Sequence, residues 1–343
     1  MATGRHHLLT NQLIRAARGL VGKNGSSPLP CFPLQQHHFG KLLNKNDDDV
    51  ATPSDFHKYL CNKIRYSEDR VVLASLYIGV GSRSIDLSTD RSNCNSKEDE
   101  LLDSLHHASI NNNLNKVQVL LDANRALRKV SVTNKNTQSH GASSDSSNSQ
   151  ITTSAKAVHS RIDTYVKNSN QLQQQKNQNR NGLFLFHVND KRLCTILPSP
   201  LDEVAGVFHI KCYIVDDELI LSGANLSEQY FNNRLDRYML ITNGGGGLVD
   251  WYADLIDVLS EYAIRYDGHS NERTKLSSLL SINDEMERKQ KLEHSLINLF
   301  DGSNYNMSKG NDRDEEIIAW AVPTFQIQLH FLVEYPVFHQ TVK

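Results

Sequence analysis

The stretch RVVLASLYIGVG, residues 70–81, constrains the fold more than any other part of the chain. A β-branched apolar run with no polar alternation has no face to offer water, so it reads as a strand buried on both sides. A sheet covered by helices provides that environment. The neighbouring segments supply the helices. DFHKYLCNKIRYSE (55–68) has helical spacing, and SKEDELLDSLHHASI (96–110) puts Leu101, Leu102, Leu105 and Ile110 on one face, with Ser96 and Asp99 as entry signals. NKVQVLLDA (115–123) reads as a second strand and GLFLFHV (182–188) as a later one. Strand, helix, strand in that order predicts the α/β class.

Two segments read as lying outside this pattern. Residues 1–46 contain no Asp or Glu but carry Arg5, Arg15, Arg18, Lys23, Lys41 and Lys45, and LLTNQLIRAARGLVG places Leu9, Leu13 and Leu20 on one helical face. Acid-poor, Arg-bearing and amphipathic is the composition of a mitochondrial transit peptide, so residues 1–50 are expected to stand outside the fold. Residues 131–181 are rich in Ser, Asn, Gln and Thr. With so little apolar surface to offset the entropy of ordering, they read as a disordered insertion. The folded unit is then expected at 51–130 and 182–267, followed by a helical or irregular segment at 268–343.

Bulk properties narrow the function classes. Thirty-seven Lys and Arg against 39 Asp and Glu leave a net charge of −2, which gives no general attraction for nucleic acid. Cys31, Cys61, Cys94, Cys194 and Cys212 follow no ligand spacing, which argues against a structural zinc site or a disulfide framework. No apolar run approaches the roughly 20 residues that a membrane helix needs.

The chemistry concentrates in VFHIKCYIVDDELILSGANLS (207–227). Alternation puts Phe208, Ile210, Cys212 and Ile214 on one face, and His209, Lys211, Tyr213 and Val215 on the other. His209 and Lys211 therefore project together. Asp216 ends the strand at a turn, and LILSGANLS runs back to a small-residue turn at Ser222, Gly223 and Asn225. An imidazole can attack phosphorus, an ammonium on the same face can neutralise phosphoryl oxygens, and a small turn lets backbone N–H groups and an Asn amide approach them. Such a site needs no metal or cofactor. The structural alternative makes His209 a hydrogen-bonded core histidine, Lys211 a snorkelling strand residue and Asp216 a turn former. Arg234 and Arg237 invite the same choice between binding a phosphate and pairing with Asp236. GLVDWYADLIDVLSEYAIRY (247–266) has Leu248, Trp251, Leu255, Val258, Leu259 and Tyr262 at helical spacing and reads as a packing helix.

HIKCYIVDDELILSGANLSEQYF resembles the HxKxxxxD motif and following turn of the phospholipase D superfamily. Together with LASLYIGVG (73–81), VLLDANRA (119–126) and LSGANLSEQYFNNRLDRYMLI (221–241), the chain is similar to the mitochondrial CDP-diacylglycerol–glycerol-3-phosphate 3-phosphatidyltransferases. The resemblance covers roughly residues 55–265 apart from the polar insertion. It implies a mixed sheet flanked by helices and a transfer from CDP-diacylglycerol to sn-glycerol 3-phosphate, giving phosphatidylglycerophosphate and CMP on the way to phosphatidylglycerol and cardiolipin. It implies His209 as nucleophile, Lys211 and Asn225 on the non-bridging oxygens, Asp216 in support, Ser222 and Gly223 in the close turn, and Arg234 and Arg237 as candidates for the acceptor phosphate. It also implies peripheral membrane association at the matrix face of the mitochondrial inner membrane, and no nucleic-acid partner.

The sequence departs from that family at one point. Its members build one site from two HxK motifs, and here H-x-K occurs once, at His209. HKYL at 57 and HHFGK at 37 have the wrong spacing, and QLHFLVEYPVFHQTVK does not resemble the family continuation. Without an acid for the leaving CMP the rate would fall roughly 10²- to 10⁴-fold. The expectation is the first half of a two-motif fold. The alternatives are a one-motif phosphodiesterase or nuclease completed by self-association, and a non-catalytic relic that keeps the fold.

Overall fold

The computed structural model describes residues 32–41, 52–80, 96–111, 114–133, 149–172, 181–187, 208–268, 282–299 and 317–321. The run at 70–81 becomes strand β2 (Arg70–Ser75), whose residues from Val71 onward are buried. Its parallel neighbour is β3 (Lys116–Asp122), and β6 (Gly182–Phe186) lies parallel beyond that. On the other side β7 (Cys212–Val215), β8 (Glu218–Ser222) and β9 (Tyr238–Ile241) add antiparallel strands. A short β10 (Ile264–Arg265) closes the far edge, giving the order β10-β6-β3-β2-β7-β8-β9. The expected α/β class is a seven-stranded mixed sheet.

Helices cover both faces. Over one lie α1 (Pro53–Arg65) and α2 (Lys97–Asn111), contributing Phe56, Leu60 and Ile64, and Leu101, Leu102 and Leu105, to a core with Val71, Leu73, Val119 and Leu121. The entry signals act as expected: the Asp99 amide N–H donates to Ser96 Oγ, and the Ser96 N–H donates back to the Asp99 carboxylate. Beyond β3 the chain turns through a single helical turn, α3 (Ala123–Ala126). Over the opposite face lies the 247–266 pattern, which forms a helix at Leu248–Glu261. Its Leu248, Trp251, Leu255 and Leu259 pack on Val72, Ala74, Leu120, Cys212 and Ile214. Each such buried side chain contributes about 1.5–3 kcal/mol. The helix is entered through Gly244, Gly245, Gly246 and Gly247, all at positive φ, a conformation that few other side chains tolerate.

Two expectations need correction. The segment 131–181 is not disordered throughout: β4 (Val130–Thr133) pairs with β5 (Ser149–Thr152), and α4 (Ser154–Leu172) packs against α2. Ala155, Val158, Ile162 and Tyr165 are buried on one side of α4, a three-to-four-residue spacing that pays the entropy cost which the average composition suggested could not be met. Nor does the whole of 1–50 stand outside the fold. Phe32 and Leu34, in β1 (Phe32–Gln35), are buried beside Trp251, and β1 pairs antiparallel with β11 (Ile317–Ala321). The amphipathic stretch at 8–22 and the charged residues up to Lys23 lie outside the described residues.

A short helix, α5 (Glu228–Asn232), precedes β9, and the glycine-entered helix α6 (Leu248–Glu261) follows it. The last helix, α7 (Ile282–Leu299), packs on α6 through Leu296 and Leu299. Among the described residues no helix is long and apolar enough to cross a membrane.

Candidate functional site

The site follows from strand direction. β2 and β3 run parallel, and β7 runs antiparallel to β2. The start of β7 and the end of β8 therefore meet the carboxyl ends of β2 and β3 at one rim of the sheet, where α/β proteins commonly bind ligands. The expected strand from residue 207 begins only at Cys212, so His209 and Lys211 lie in the irregular lead-in. The expected faces nevertheless hold: Phe208, Cys212 and Ile214 join the α6 side, and Tyr213 and Val215 the α1 side.

His209 and Lys211 are brought together. Lys211 Nζ lies 2.9 Å from His209 Nδ1 and also donates to the His209 carbonyl oxygen at 3.2 Å. Lys211 is buried while His209 faces solvent. Burial pushes the ammonium pKa down to about 8, against the pull of the nearby Asp236 carboxylate. Partial desolvation also lowers the His209 pKa, with smaller contributions from the charges of Lys211 and Arg125. The imidazole is therefore neutral at pH 7. A protonated Lys211 can only donate, which would leave the Nδ1 lone pair facing it and the proton on Nε2. Attack through Nε2 requires Lys211 to be neutral, or the ring to turn towards another acceptor.

The small-residue turn closes the site. Ser222 Oγ accepts from the Ala224 N–H at 2.9 Å, the Ser222 N–H donates to the Lys211 carbonyl oxygen, and the buried Tyr213 hydroxyl donates to the Ala224 carbonyl oxygen. At Gly223 a Cβ would sit 2.7 Å from an Asp236 carboxylate oxygen, so a side chain there would displace that carboxylate. Asn225 is buried, and its Oδ1 has no hydrogen-bond partner among the described residues.

Asp216 is not brought to this rim. It occupies the β7–β8 turn at φ 51°, about 16 Å along the strand from Lys211. Its carboxylate accepts the backbone N–H groups of Glu68, Asp69 and Arg70. It pins the loop before β2 rather than touching the His209 region. Arg234 and Arg237 are exposed; Arg234 lies over the Tyr230 ring at 4.4 Å, and the Arg237 backbone N–H donates to the Asp236 carboxylate.

Sequence reasoning missed Asp122. This buried acid ends β3, where its carboxylate accepts the Arg125 N–H at 2.9 Å as the cap of α3 and the Phe208 N–H at 2.9 Å. One carboxylate thus fixes both the turn that carries Arg125 and the residue before His209. Burial raises the Asp122 pKa, with the backbone N–H groups opposing. The signal was an acidic residue closing an otherwise apolar strand, in VLLDANRA. Among the described residues no cluster of side chains is suited to hold a metal ion.

The chain is similar to curated phosphatidyltransferases. It is 28% identical over 235 residues to a probable CDP-diacylglycerol–glycerol-3-phosphate 3-phosphatidyltransferase of Dictyostelium discoideum, covering 68% of this chain and 33% of that protein. It is 30% identical over 218 residues to the mitochondrial enzyme of that name from Gallus gallus, covering 63% of this chain and 32% of the relative. The chain thus spans about a third of the length of the curated relatives it matches. Among solved structures, the phosphatidylserine synthase of Haemophilus influenzae aligns with a TM-score of 0.48 at 21% identity, covering 82% of this chain and 48% of that one. No protein-family model matches the chain.

Proposed function

We propose that this chain carries the nucleophilic half of a phosphatidyltransferase that joins the phosphatidyl group of CDP-diacylglycerol to sn-glycerol 3-phosphate. The observation that carries the proposal is the buried Lys211 ammonium held 2.9 Å from a solvent-facing His209 beside the Ser222–Asn225 turn. With its ring turned so that Nδ1–H donates to an acceptor other than the Lys211 ammonium, His209 attacks through Nε2 the phosphorus that bears diacylglycerol; the P–N bond forms as the P–O bond to CMP breaks, and an acid protonates the departing CMP oxygen. The acceptor hydroxyl then forms the new P–O bond as P–N breaks, and its proton passes to the base left by that acid. Lys211 and the Asn225 amide hold the non-bridging oxygens, where charge builds in both transition states. Ser222 and Gly223 shape the turn that admits them. Asp216 supports the site at a distance by fixing the hairpin.

With one H-x-K in the sequence, the acid is supplied in this proposal by a second motif, on further chain or on a second copy meeting the His209 face. The near-neutral net charge favours a lipid over a nucleic-acid substrate. The acid-poor N-terminus and the mitochondrial name of the Gallus gallus relative support a mitochondrial site of action, at the matrix face of the inner membrane, with peripheral attachment.

The test is CMP release and label retention with CDP-diacylglycerol labelled in the diacylglycerol-linked phosphate, using the full chain alone and joined to a second-motif segment from a relative. Acid-labile label on the protein and its loss in His209→Ala are expected. CMP release that survives His209→Ala would end the nucleophile assignment.

A further inference from the structure

A cleft of about 230 Å³ that the reading above leaves unused is lined by Arg125, whose charge acts on His209. Gly79, beyond β2, forms part of it; Arg125 and Arg128 enter from α3 and the residue pair after it; Glu98, Ser227 and Glu228 are among its other polar lining residues. The cleft is fixed by the backbone around it. The Gly79 N–H donates to the Leu226 carbonyl oxygen at 2.7 Å, and a Cβ on Gly79 would lie 1.8 Å from the Glu98 carboxylate. The two glutamates cap each other's helices: Glu98 accepts the Glu228 N–H at the start of α5, and Glu228 accepts the Lys97 N–H at the start of α2.

Size and charge restrict what fits. Drug-sized ligands occupy roughly 300–1,000 Å³, so this space suits a molecule smaller than a nucleotide and far smaller than a diacylglycerol. Two guanidinium groups favour a phosphate, which arginine can grip through paired N–H donors. Two carboxylates in the same lining disfavour a simple polyanion and favour hydroxyl donors. We propose that this cleft is the acceptor subsite: Arg125 and Arg128 take the phosphate of a small polyol monophosphate, and Glu98 and Glu228 take its hydroxyl groups. Asp122 ties the cleft to the nucleophile, because the same carboxylate holds Arg125 N–H and Phe208 N–H. The assignment rests on the phosphatidyl-transfer reading for the identity of the acceptor, sn-glycerol 3-phosphate. It places the acceptor phosphate on the half-buried Arg125 and on Arg128 rather than on Arg234 and Arg237, which lie outside the cleft lining.

Binding separates this inference from turnover. Calorimetric titration of the full chain with sn-glycerol 3-phosphate, glycerol and CMP is the experiment. Glycerol 3-phosphate is expected to bind at least about 100-fold tighter than glycerol, and Arg125→Gln and Arg128→Gln each to weaken it about 10- to 100-fold. Arg234→Gln and Arg237→Gln are expected to change it less than 2-fold. Val130→Trp, which fills the cleft without altering either arginine, is expected to abolish it; melting temperatures establish that each variant folds. Unchanged affinity in folded Arg125→Gln and Arg128→Gln would overturn the subsite, as would loss of affinity through Arg234 or Arg237. Loss of CMP binding with glycerol 3-phosphate unaffected would overturn it too, by making the cleft a leaving-group site. If the arginine variants behave as expected while His209→Ala still releases CMP, the subsite stands and the transfer mechanism falls.

Discussion

The two ends of the β7–β8 hairpin contrast in what their polar residues do. At the turn, the Asp216 carboxylate receives three backbone N–H groups, and its positive φ fits the two-residue connection. At the open end, a buried ammonium has its pKa pushed down to about 8 and a buried Asn225 oxygen has no partner among the described residues. One end commits its polar groups to architecture, and the other holds a desolvated ammonium and an unpartnered amide oxygen at a cost of order a few kcal/mol. Groups held at such a cost are the ones a ligand can satisfy, which is why binding sites concentrate perturbed titrations. The six-residue spacing that reads as one motif therefore serves two jobs at two ends of one strand.

The sharpest way to break that contrast is at His209. His209→Ala is expected to lower phosphatidyl transfer by roughly 10⁴-fold or more with the melting temperature unchanged, since the ring faces solvent. Activity assays and thermal melts on the same preparation check it. Lys211→Met comes next: CMP release is expected to fall about 10²- to 10³-fold while the protein becomes no less stable, and by up to about 3 kcal/mol more stable, at pH 7. A denaturant titration showing marked destabilisation would mean that Lys211 is structural.

Asp216→Ala should do the reverse. It removes a charged acceptor from three N–H groups and puts Ala, which tolerates positive φ less well than Asp, at that turn position, and is expected to cost about 2–4 kcal/mol of stability. The folded fraction should keep its kcat within a few-fold. Loss of turnover in fully folded protein would bring Asp216 into the chemistry.

The smallest effect is a pH dependence. The folded pKa of Lys211, about 8, lies below its ordinary 10.5, so between those values the unfolded chain holds the proton more tightly. Stability from this group is absent at neutral pH and is gained as pH rises from about 8 towards 10.5. Activity should move the other way, falling as Lys211 loses its charge near pH 8, with an acid limb below 6.5 where His209 protonates. Lys211→Met should remove the opposing slopes, and slopes that persist in it would assign them to other groups.

Much of this was legible in the chain, for physical reasons that differ by element. The buried run at β2, the capped helix α2 and the alternating faces of 208–215 are set by local periodicity, which tertiary contacts reinforce. Helix α4 was hidden because averaging over 131–181 buried its own period: Ala155, Val158, Ile162 and Tyr165 carry an apolar stripe in a polar background. Asp122 was visible as an acid closing a strand, but nothing local says that its oxygens reach Phe208, 86 residues on.

The sequence by itself determined the class of fold, the faces of its strands and the pairing of His209 with Lys211, because each depends on neighbours within a turn or two along the chain. Only the tertiary structure decided that Asp216 stands apart from that pair, that Arg125 and not Arg234 lines a cleft with Glu98 and Glu228, and that β1 pairs with β11 across almost the whole chain. Those outcomes depend on strand order and direction, which fix where distant residues meet and which no local pattern encodes.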